Sequence, residues 1–425
     1  MPGKVATFHP GPLRGNVGVP GDKSISHRAL IVGARCADPL RISHLNPGRD
    51  VHATRQALIA LGTRIEGDGD DVVVHPGPWQ SPDGTLDCMN SGSTVRMLLG
   101  ACSGANVAAG FDGDASLRRR PMEPVAAQLR AFGAKIRTSD GRLPLELSGT
   151  PAVETRRFIL LAPSAQVKSA LLFAGLFAGV TVRIDGDRGS RDHTERLLRY
   201  LGAEIEWNAR TVELNGTALA SRAVEVVGDI SAAAFFITAA AITPGSAILI
   251  GDVGVNPTRM GLLDALRTMG ASIELRNERM QCGEPIADLA VQYRALGAAR
   301  IGPEIALRAI DEIPLLAVAA AFASGTTTID GVADLRTKES DRLAAIQRLL
   351  DAVGIRAVCE RHGLAITGGR PAQRGTLVAT RDDHRIAMAA AVLACAAGPL
   401  AIDSDASLDV SFPGFVAALN RLRGG

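Results

Sequence analysis

The segment GDKSISHRAL, residues 21–30, places a lysine, a serine and an arginine at the start of an apolar run that is typical of a buried helix. The first turn of a helix has free N–H groups and the positive end of the helix dipole, so it attracts anions. Lys23 and Ser24 would lie in that turn, and Arg28 would project from the same side one turn later. A nucleotide-binding P-loop does not fit, because Asp22 separates the glycine from the lysine. The segment therefore predicts an anion site, with an ordinary solvated helix start as the alternative.

Two further segments combine a helix start with arginine. In NSGSTVRML, Gly92 leads into a helix that carries Arg96, and the N–H groups of the loop could bind an anion. In SLRRRPMEP, three consecutive arginines end at Arg120, just before a proline. A helix cap explains the first segment equally well, and a solvated surface is the usual explanation of an arginine run. At most one arginine of the run needs to contact a ligand.

The segment PSAQVKSALL opens another buried helix with polar side chains. Ser164 is a good N-cap, whereas Gln166 has no such structural reason, and its amide could bind sugar-like hydroxyls or phosphate. Farther along, His193 and Glu195 form the H-x-E pattern of zinc deaminases, but the P-C-x-x-C that completes that signature is missing. We therefore predict no metal site.

Carboxylates stand beside cations in two later segments. Asp311 and Glu312 come immediately before an almost entirely apolar helix. One carboxylate could cap that helix, but two at its mouth suggest a chemical role. In RTKESDRLAAI, a helix would place Lys338, Glu339 and Arg342 on one side, with ion pairing along an exposed helix as the alternative. Asp311 and Glu339 are the candidates for an acid and a base.

The cations stand near helix starts in several equivalent parts of the chain, a distribution that random surface charge would not favour. They are Lys23, Arg28, Arg96, Arg120, Lys338, Arg342 and Arg385. Helix starts that converge with cations describe a site for a highly anionic small molecule. The net charge of +2 gives no strong general field for nucleic acid or membrane.

These segments belong to a repeated element. Amphipathic helices end in glycine before a strand-like run, at intervals of roughly 70 residues. The glycines, each suited to a left-handed helix end, are Gly62, Gly133, Gly202, Gly270 and Gly354. Nearly all-apolar helices alternate with the amphipathic ones, so the chain consists of six copies of one α/β unit. We predict one domain of residues 21–227 and a second of residues 1–20 and 228–425, with a ligand site in the cleft between them.

The composition favours a globular protein of a reducing compartment. Only 4% of residues are aromatic against 46% hydrophobic, so the cores are built mainly from Ala, Val, Leu and Ile. Six scattered cysteines form no C-x-x-C pair, and the apolar runs are broken by Gly, Pro or charge. The N-terminus has no signal-like apolar core. We expect a cytoplasmic monomer without metal, cofactor, membrane or nucleic-acid partner.

Eight motifs in order resemble one family from end to end: GDKSISHRA, NSGSTVR, RRRPM, SAQVKSALL, DEIPLLAVAAAFA, KESDR, DDHRIAMA and SFPGF. They resemble the EPSP synthases, the 3-phosphoshikimate 1-carboxyvinyltransferases. The resemblance implies an α/β fold of two lobes, each with three βαβαββ units. It also implies that phosphoenolpyruvate and shikimate 3-phosphate react to give 5-enolpyruvylshikimate 3-phosphate and phosphate, with no metal or cofactor. These substrates bring roughly five to six negative charges into one site, which would explain the cations.

The resemblance further implies a role for each residue of the clusters. Shikimate 3-phosphate would be held by Lys23, Ser24, Arg28, Ser164, Gln166, Arg191, Asp311 and Lys338. Phosphoenolpyruvate would be held by Lys23, Gly92, Arg120, Gln166, Arg342 and Arg385. Asp311 would orient and deprotonate the 5-hydroxyl, while Glu339 and Lys23 would handle protons at the enolpyruvyl carbon and the leaving group.

Two departures qualify the resemblance. Some family members have a lysine just before the C-terminal SFP, where this chain has Val410, so one phosphoenolpyruvate contact would be missing or supplied elsewhere. The segments GDKS, SAQVK, RDHTE and NPTR resemble the glyphosate-tolerant class, whereas Gly92 is the residue that leaves room for that inhibitor. The motif set therefore implies glyphosate tolerance, and Gly92 counts against it.

Two rival functions remain as alternatives. The UDP-N-acetylglucosamine enolpyruvyl transferases share the fold and the donor, but they carry a reactive cysteine where this chain has Ala115, and they lack the KESDR and DDHR pattern. A non-catalytic RNA-binding repeat protein could use the arginine run at residues 118–120. Against it, the chain has no RNA-binding signature and only 2 Trp and 2 Tyr for stacking on bases.

Overall fold

The computed structural model describes residues 4–150, 152–372, 377–381, 383–408 and 412–424. The chain divides into two compact units. The first unit is Gly21–Val226 with Met280–Glu284, and the second is the N-terminal segment up to Pro20 with Val227–Arg279 and Pro285–Gly425.

Residues 280–284 belong to a different unit from the one predicted. The sequence-based boundary assigned them to the second domain, whereas in the structure they group with the first unit. There the buried carboxylate of Glu284 lies 2.8 Å from Nδ1 of His193 and 4.0 Å from Nε of Arg196. These residues form the tip of the hairpin between the strands Ser272–Gln281 and Glu284–Gln292, and no local pattern shows which unit a hairpin tip contacts, so the sequence could not reveal this grouping.

Six small sheets form among the described residues, three in each unit. In the first unit, one sheet has the strand order β14 (Val224–Glu225), β3 (Leu40–Ser43), β5 (Val72–His75), β4 (Arg64–Glu66). The next has the order β6 (Leu86–Asp87), β7 (Ala109–Asp112), β9 (Arg142–Leu147), β8 (Ile136–Ser139). The third has the order β10 (Arg157–Ile159), β11 (Val182–Asp185), β13 (Thr211–Leu214), β12 (Ile205–Trp207). In the second unit, one sheet has the strand order β16 (Ser272–Gln281), β17 (Glu284–Gln292), β15 (Ala247–Gly254), β2 (Arg14–Val17). The next has the order β18 (Arg300–Ile301), β19 (Thr326–Asp330), β21 (Gly363–Thr367), β20 (Arg356–Cys359). The third has the order β1 (Ala6–Phe8), β23 (Leu400–Ile402), β22 (Leu377–Val378).

The pairing pattern is the same in all six of these sheets. One inner strand has a parallel neighbour on one side and an antiparallel neighbour on the other; these strands are β3, β7, β11, β15, β19 and β23. A parallel pair needs a crossover, which a helix provides, whereas an antiparallel pair can be joined by a short turn. The predicted α/β fold of six repeats is confirmed.

Buried helices alternate with amphipathic ones, as the sequence predicts. The buried helices are α1 (Lys23–Gly33), α3 (Gly92–Gly104), α6 (Ala165–Ala178), α8 (Ile230–Ile242), α11 (Ile313–Ala321) and α13 (His384–Ala397). The amphipathic helices are α2 (Arg49–Ala60), α5 (Glu123–Phe132), α7 (His193–Tyr200), α9 (Gly261–Thr268), α12 (Arg342–Asp351) and α14 (Phe415–Leu422), and the short helices are α4 (Ala115–Arg118) and α10 (Pro303–Arg308). The five glycines predicted to follow helices have φ between 76° and 115°, so the left-handed ends are confirmed. No helix in the described parts of the chain is long and apolar enough to cross a membrane.

Helices α3 and α6 approach each other unusually closely in the first unit. A Cβ atom at Gly100 would lie 2.1 Å from the carbonyl oxygen of Ala170, and one at Gly104 would lie 2.2 Å from that of Ala174. Only glycine fits such an approach. These close contacts repeat every four residues along the two helices. The same spacing therefore brings Arg96 and Gln166 together near the N-terminal ends of α3 and α6.

Helices α8, α11 and α13 pack against one another in the second unit. Every residue of α8 and α11 is buried, because both consist almost entirely of Ala, Ile, Leu, Val and Phe. Their starts come together as a result, since Glu312 at the start of α11 contacts Ser231 of α8 and Arg385 of α13.

Candidate active site

The start of α1 carries Lys23, Ser24 and Arg28. The side chain of Asp22 accepts a hydrogen bond from the N–H of Ile25 at 2.9 Å, which fixes where the helix begins. Lys23 lies in the first turn with its Nζ 2.9 Å from Oδ2 of Asp50, and both side chains are partly exposed. The ammonium is therefore held at the helix start by a carboxylate of α2.

Arg28 is buried, unlike Lys23. Its Nε donates to Thr194 Oγ1 at 2.7 Å, its Nη1 to the carbonyl oxygen of Ser24 at 2.8 Å, and its Nη2 to Ser169 Oγ at 2.8 Å. Burial lowers the pKa of Arg28 to about 10, although the nearby carboxylate of Glu195 opposes that shift. The guanidinium remains charged at neutral pH, and each terminal nitrogen has one further N–H.

Gly92, Arg96, Arg120 and Gln166 converge at the start of α3. A Cβ atom at Gly92 would lie 2.6 Å from Nη1 of Arg96 and 3.0 Å from Nη1 of Arg120. Arg96 Nη1 donates to Gln166 Oε1 at 2.9 Å, and Gln166 Nε2 donates to Ser93 Oγ at 2.9 Å. The missing side chain of Gly92 thus lets two guanidinium groups approach one helix start, an arrangement suited to an anion.

Ser164 and Arg191 complete the predicted set of the first unit. Ser164 caps α6, its hydroxyl accepting from the N–H of Val167 at 3.4 Å. Arg191 is partly buried and lies two residues before α7. Both residues stand at the start of a helix, in keeping with the anion-binding chemistry predicted for them.

Arg342 is the centre of the carboxylate cluster in the second unit. Its Nε donates to Asp383 Oδ2 at 2.9 Å, its Nη2 lies 2.6 Å from Glu339 Oε2, and its Nη1 lies 3.8 Å from Asp311 Oδ1. Burial alone would lower the pKa of Arg342, but the carboxylates of Asp383, Glu339 and Asp311 outweigh it and raise that pKa. Burial alone would raise the pKa of Asp383, but the charge of Arg342 outweighs it and lowers that pKa.

Arg385 shares Asp311 with Arg342 and also contacts Glu312. Its Nη1 donates to the carbonyl oxygen of Asp311 at 3.0 Å and lies 3.5 Å from Glu312 Oε1, while its Nη2 lies 3.9 Å from Asp311 Oδ2. Ser231 donates to the same oxygen of Glu312 and accepts from Arg259 Nη2 at 2.6 Å. Two arginines and two predicted acid or base residues therefore share one cluster.

The predicted helix for Lys338, Glu339 and Arg342 is wrong in its extent. The helix begins at Arg342, because Asp341 caps it by accepting from the N–H of Ala344 at 3.1 Å. Lys338 has an extended backbone, with φ −82° and ψ −153°, and Glu339 follows it outside any helix. Glu339 still reaches Arg342, so the predicted pairing is found without the predicted helix.

In the first unit the structure brings together Gly92, Arg96, Arg120 and Gln166, and in the second it brings together Asp311, Glu339, Arg342 and Arg385. Sequence reasoning did not select Asp50 or Asp383, and it noted Glu312 without assigning it a role, although each contacts a predicted residue. All three stand at a helix start, and Glu312 and Asp383 also stand within two residues of the selected Asp311 and Arg385, which was the available signal. Val410 lies outside the described residues. Within the described stretches, no group of three or more His, Cys, Asp or Glu side chains could hold a metal ion.

Comparisons with solved structures identify the fold of the chain. The fold is that of the enolpyruvyl transferases: the chain aligns with the enolpyruvyl transferase NikO of Streptomyces tendae with a TM-score of 0.76 and 20% identity, covering 99% of this chain and 98% of that one. An EPSP synthase from Acinetobacter baumannii aligns with a TM-score of 0.87 and 36% identity, over 99% of this chain and 98% of that one.

Sequence relatives narrow the assignment. A 3-phosphoshikimate 1-carboxyvinyltransferase of Anaeromyxobacter sp. (strain Fw109-5) is 45% identical over 428 residues, covering 99% of both chains. One of Desulforudis audaxviator is 45% identical over 420 residues, covering 97% of both. The family model for EPSP synthase (3-phosphoshikimate 1-carboxyvinyltransferase) matches residues 8–419, and the chain belongs to this family.

Proposed function

We propose that the chain transfers the enolpyruvyl group of phosphoenolpyruvate to the 5-hydroxyl of shikimate 3-phosphate, releasing phosphate. The observation that carries this proposal is the Arg342 cluster, in which Asp311 and Glu339 lie beside two arginines. Guanidinium groups bind carboxylates and phosphates, and adjacent carboxylates can move protons. Such a cluster suits a reaction of two anions that also needs proton transfer.

The residue roles follow the family resemblance. Phosphoenolpyruvate would contact Lys23, Gly92, Arg120, Gln166, Arg342 and Arg385, and shikimate 3-phosphate would contact Lys23, Ser24, Arg28, Ser164, Gln166, Arg191, Asp311 and Lys338. The convergence of Gly92, Arg96, Arg120 and Gln166 within the first unit supports the assignment of an anion to that helix start.

The reaction would proceed by addition and elimination. Asp311 would accept the proton of the 5-hydroxyl of shikimate 3-phosphate while the hydroxyl oxygen forms a bond to C2 of phosphoenolpyruvate. A proton would be added to C3 of phosphoenolpyruvate in the same step. Loss of a proton from C3 and cleavage of the C2–O bond to phosphate would then restore the double bond. Glu339 and Lys23 would carry the protons at C3 and at the leaving group, and the fixed arginines would stabilise the charge that develops on phosphate.

A coupled phosphate-release assay tests the proposal. We expect phosphate release with both substrates and none with either substrate alone. UDP-N-acetylglucosamine in place of shikimate 3-phosphate is expected to give none, which separates this activity from that of the related transferases. An RNA titration followed by thermal shift, expected to leave the melting temperature unchanged, addresses the RNA-binding alternative. Absence of phosphate release with the correct pair would refute the proposal.

We further propose that the enzyme works as a monomer in the cytoplasm, without nucleic acid or membrane. The small net charge and the scattered cysteines support this, and all six cysteines are free thiols. Light scattering at working concentration would test the oligomeric state, with a mass near 44.3 kDa expected.

Arg28 and Lys23 are expected to differ when replaced by alanine. A charged hydrogen bond to phosphate contributes about 1.5–3 kcal/mol, so Arg28→Ala should weaken shikimate 3-phosphate binding about 10- to 150-fold and leave the KM for phosphoenolpyruvate unchanged.

Lys23→Ala should lower kcat as well as binding, because a cation between two anions stabilises charge that shifts during the reaction. Lys23→Arg should not restore activity, since a compact ammonium and a planar guanidinium are not interchangeable.

Steady-state kinetics with each substrate varied in turn measures these effects. Thermal melts of the same variants control for the loss of the buried Arg28 contacts. Equal losses for both substrates in both alanine variants, with kcat unchanged, would contradict the separate roles.

Glyphosate is expected to inhibit the enzyme weakly, in competition with phosphoenolpyruvate. The expectation rests on the resemblance of GDKS, SAQVK, RDHTE and NPTR to the glyphosate-tolerant class. Inhibition constants at several phosphoenolpyruvate concentrations would test it. Micromolar inhibition at modest phosphoenolpyruvate would show that the space left by Gly92 outweighs the other motifs.

A further inference from the structure

An ion pair between Lys168 and Glu195 lies beneath the residues assigned to shikimate 3-phosphate, and the mechanism above does not use it. Lys168 Nζ lies 2.6 Å from Glu195 Oε1 and 2.7 Å from Asp187 Oδ2. The three side chains are only 1%, 0% and 3% exposed, respectively. Buried charges are stable only when they are paired, so these three groups hold one another in place.

The pair lies next to the contacts that fix Arg28. Ser169 follows Lys168 on α6, Thr194 precedes Glu195 on α7, and the two hydroxyl oxygens are 2.7 Å apart. These are the hydroxyls that accept hydrogen bonds from Nη2 and Nε of Arg28. Because the ion pair joins α6 to α7 at this level, separating it would move both hydroxyls away from the guanidinium.

Lys168 also holds the segment that leads to Arg191. Its Nζ donates to the carbonyl oxygen of Ser190 at 3.4 Å, and Asp187 Oδ1 accepts from the N–H of Ser190 at 3.1 Å. Ser190 is the residue immediately before Arg191. On the other side, Ser164 lies one turn before Lys168, and the N–H of Lys168 donates to its carbonyl oxygen at 3.0 Å.

We propose that the Lys168–Glu195 pair is the positioning device of the shikimate 3-phosphate residues, holding Arg28, Ser164 and Arg191 at fixed separations without contacting the substrate. The inference rests on the proposed function. It also gives a physical reason for the joint presence of SAQVK and RDHTE, since Lys168 ends the first motif and Glu195 ends the second. Neither motif alone can form the pair.

Replacing Glu195 by leucine tests the proposal. Glu195→Leu keeps a similar volume and leaves Lys168 paired with Asp187, but it removes the ion pair that joins α6 to α7. Displacing binding groups by about 1 Å can cost up to about 100-fold, so we expect the Kd for shikimate 3-phosphate, measured by calorimetry, to rise about 10- to 100-fold. The KM for phosphoenolpyruvate at saturating shikimate 3-phosphate should change less than about 2-fold. Glu204→Leu, at an exposed glutamate of the same unit, is the control and should leave both values unchanged.

A second variant, needed if Glu195→Leu does not fold, tests the contact through which the pair would hold Arg28. Thr194→Val retains the shape and the ion pair but removes the hydroxyl that holds Arg28 Nε, and it should raise the Kd for shikimate 3-phosphate in the same selective way. Normal binding by a folded variant would overturn the proposal, and so would equal losses for both substrates, which a purely structural role would produce. Failure of the unmodified chain to bind shikimate 3-phosphate and release phosphate would instead refute the proposed function.

Discussion

Replacing Glu339 by glutamine is expected to lower kcat by about 10² to 10⁴, or roughly 3–5 kcal/mol of barrier, with both KM values nearly unchanged. Glu339 Oε2 lies 2.6 Å from Arg342 Nη2, and the side chain is partly exposed, so it can reach a ligand. Glutamine retains an oxygen that accepts from Arg342 but cannot exchange a proton at neutral pH. The change therefore removes proton transfer and keeps the arginine in place.

Steady-state kinetics and a single-turnover measurement would establish the effect on the chemical step. Glu360→Gln, at an exposed glutamate of the same unit, is the matched control and should keep kcat within about 2-fold. A raised KM with kcat untouched would mean that Glu339 only binds substrate.

Replacing Asp383 by asparagine is expected to lower the free energy of unfolding by about 3–5 kcal/mol, because it leaves the buried guanidinium of Arg342 without the charge of a fully buried carboxylate partner. Asp383 accepts from Arg342 Nε at 2.9 Å, from Ser340 Oγ at 2.8 Å and from the N–H of Arg385 at 3.1 Å. Asparagine is an equally good N-cap, so the helix start of α13 should persist and the loss should report the charge. Arg342 would also lose its fixed orientation, and the KM for phosphoenolpyruvate should rise.

Denaturant unfolding across a range of pH measures this contribution. The pKa of Asp383 is lowered in the folded state, as burial is outweighed by the charge of Arg342. Its stabilising effect should therefore be complete above the ordinary carboxyl pKa of about 3.9 and should disappear as the pH falls through the lowered value. Asp351→Asn, at an exposed carboxylate of α12, is the control. A difference below about 1 kcal/mol at neutral pH, or one that grows on acidification, would contradict the expectation.

The family model and the relatives agree with the identity that the motifs indicated. Those motifs are local: each helix start, with its cap and its cation, lies within about ten residues of sequence. The positive φ of Gly62 and Gly133 and the burial of α8 were likewise predictable, because helix ends and apolar faces depend on neighbouring residues. The helix predicted through Lys338 shows the limit of this reasoning, since side-chain spacing favoured it, whereas the N-cap at Asp341 makes the helix begin only at Arg342.

The sequence by itself determined the six repeats, the buried helices and the residue types at their starts, because periodicity and capping are short-range properties. Only the tertiary structure decided which charges from distant parts of the chain meet. Arg342 pairs with Asp383 from a different repeat, Lys168 pairs with Glu195, and Gly100 admits Ala170 because two helices approach almost to backbone contact. Such partners lie far apart along the chain, and no local pattern specifies them. They are selected by packing, since a buried charge is stable only opposite a partner that the folded core places within hydrogen-bond distance.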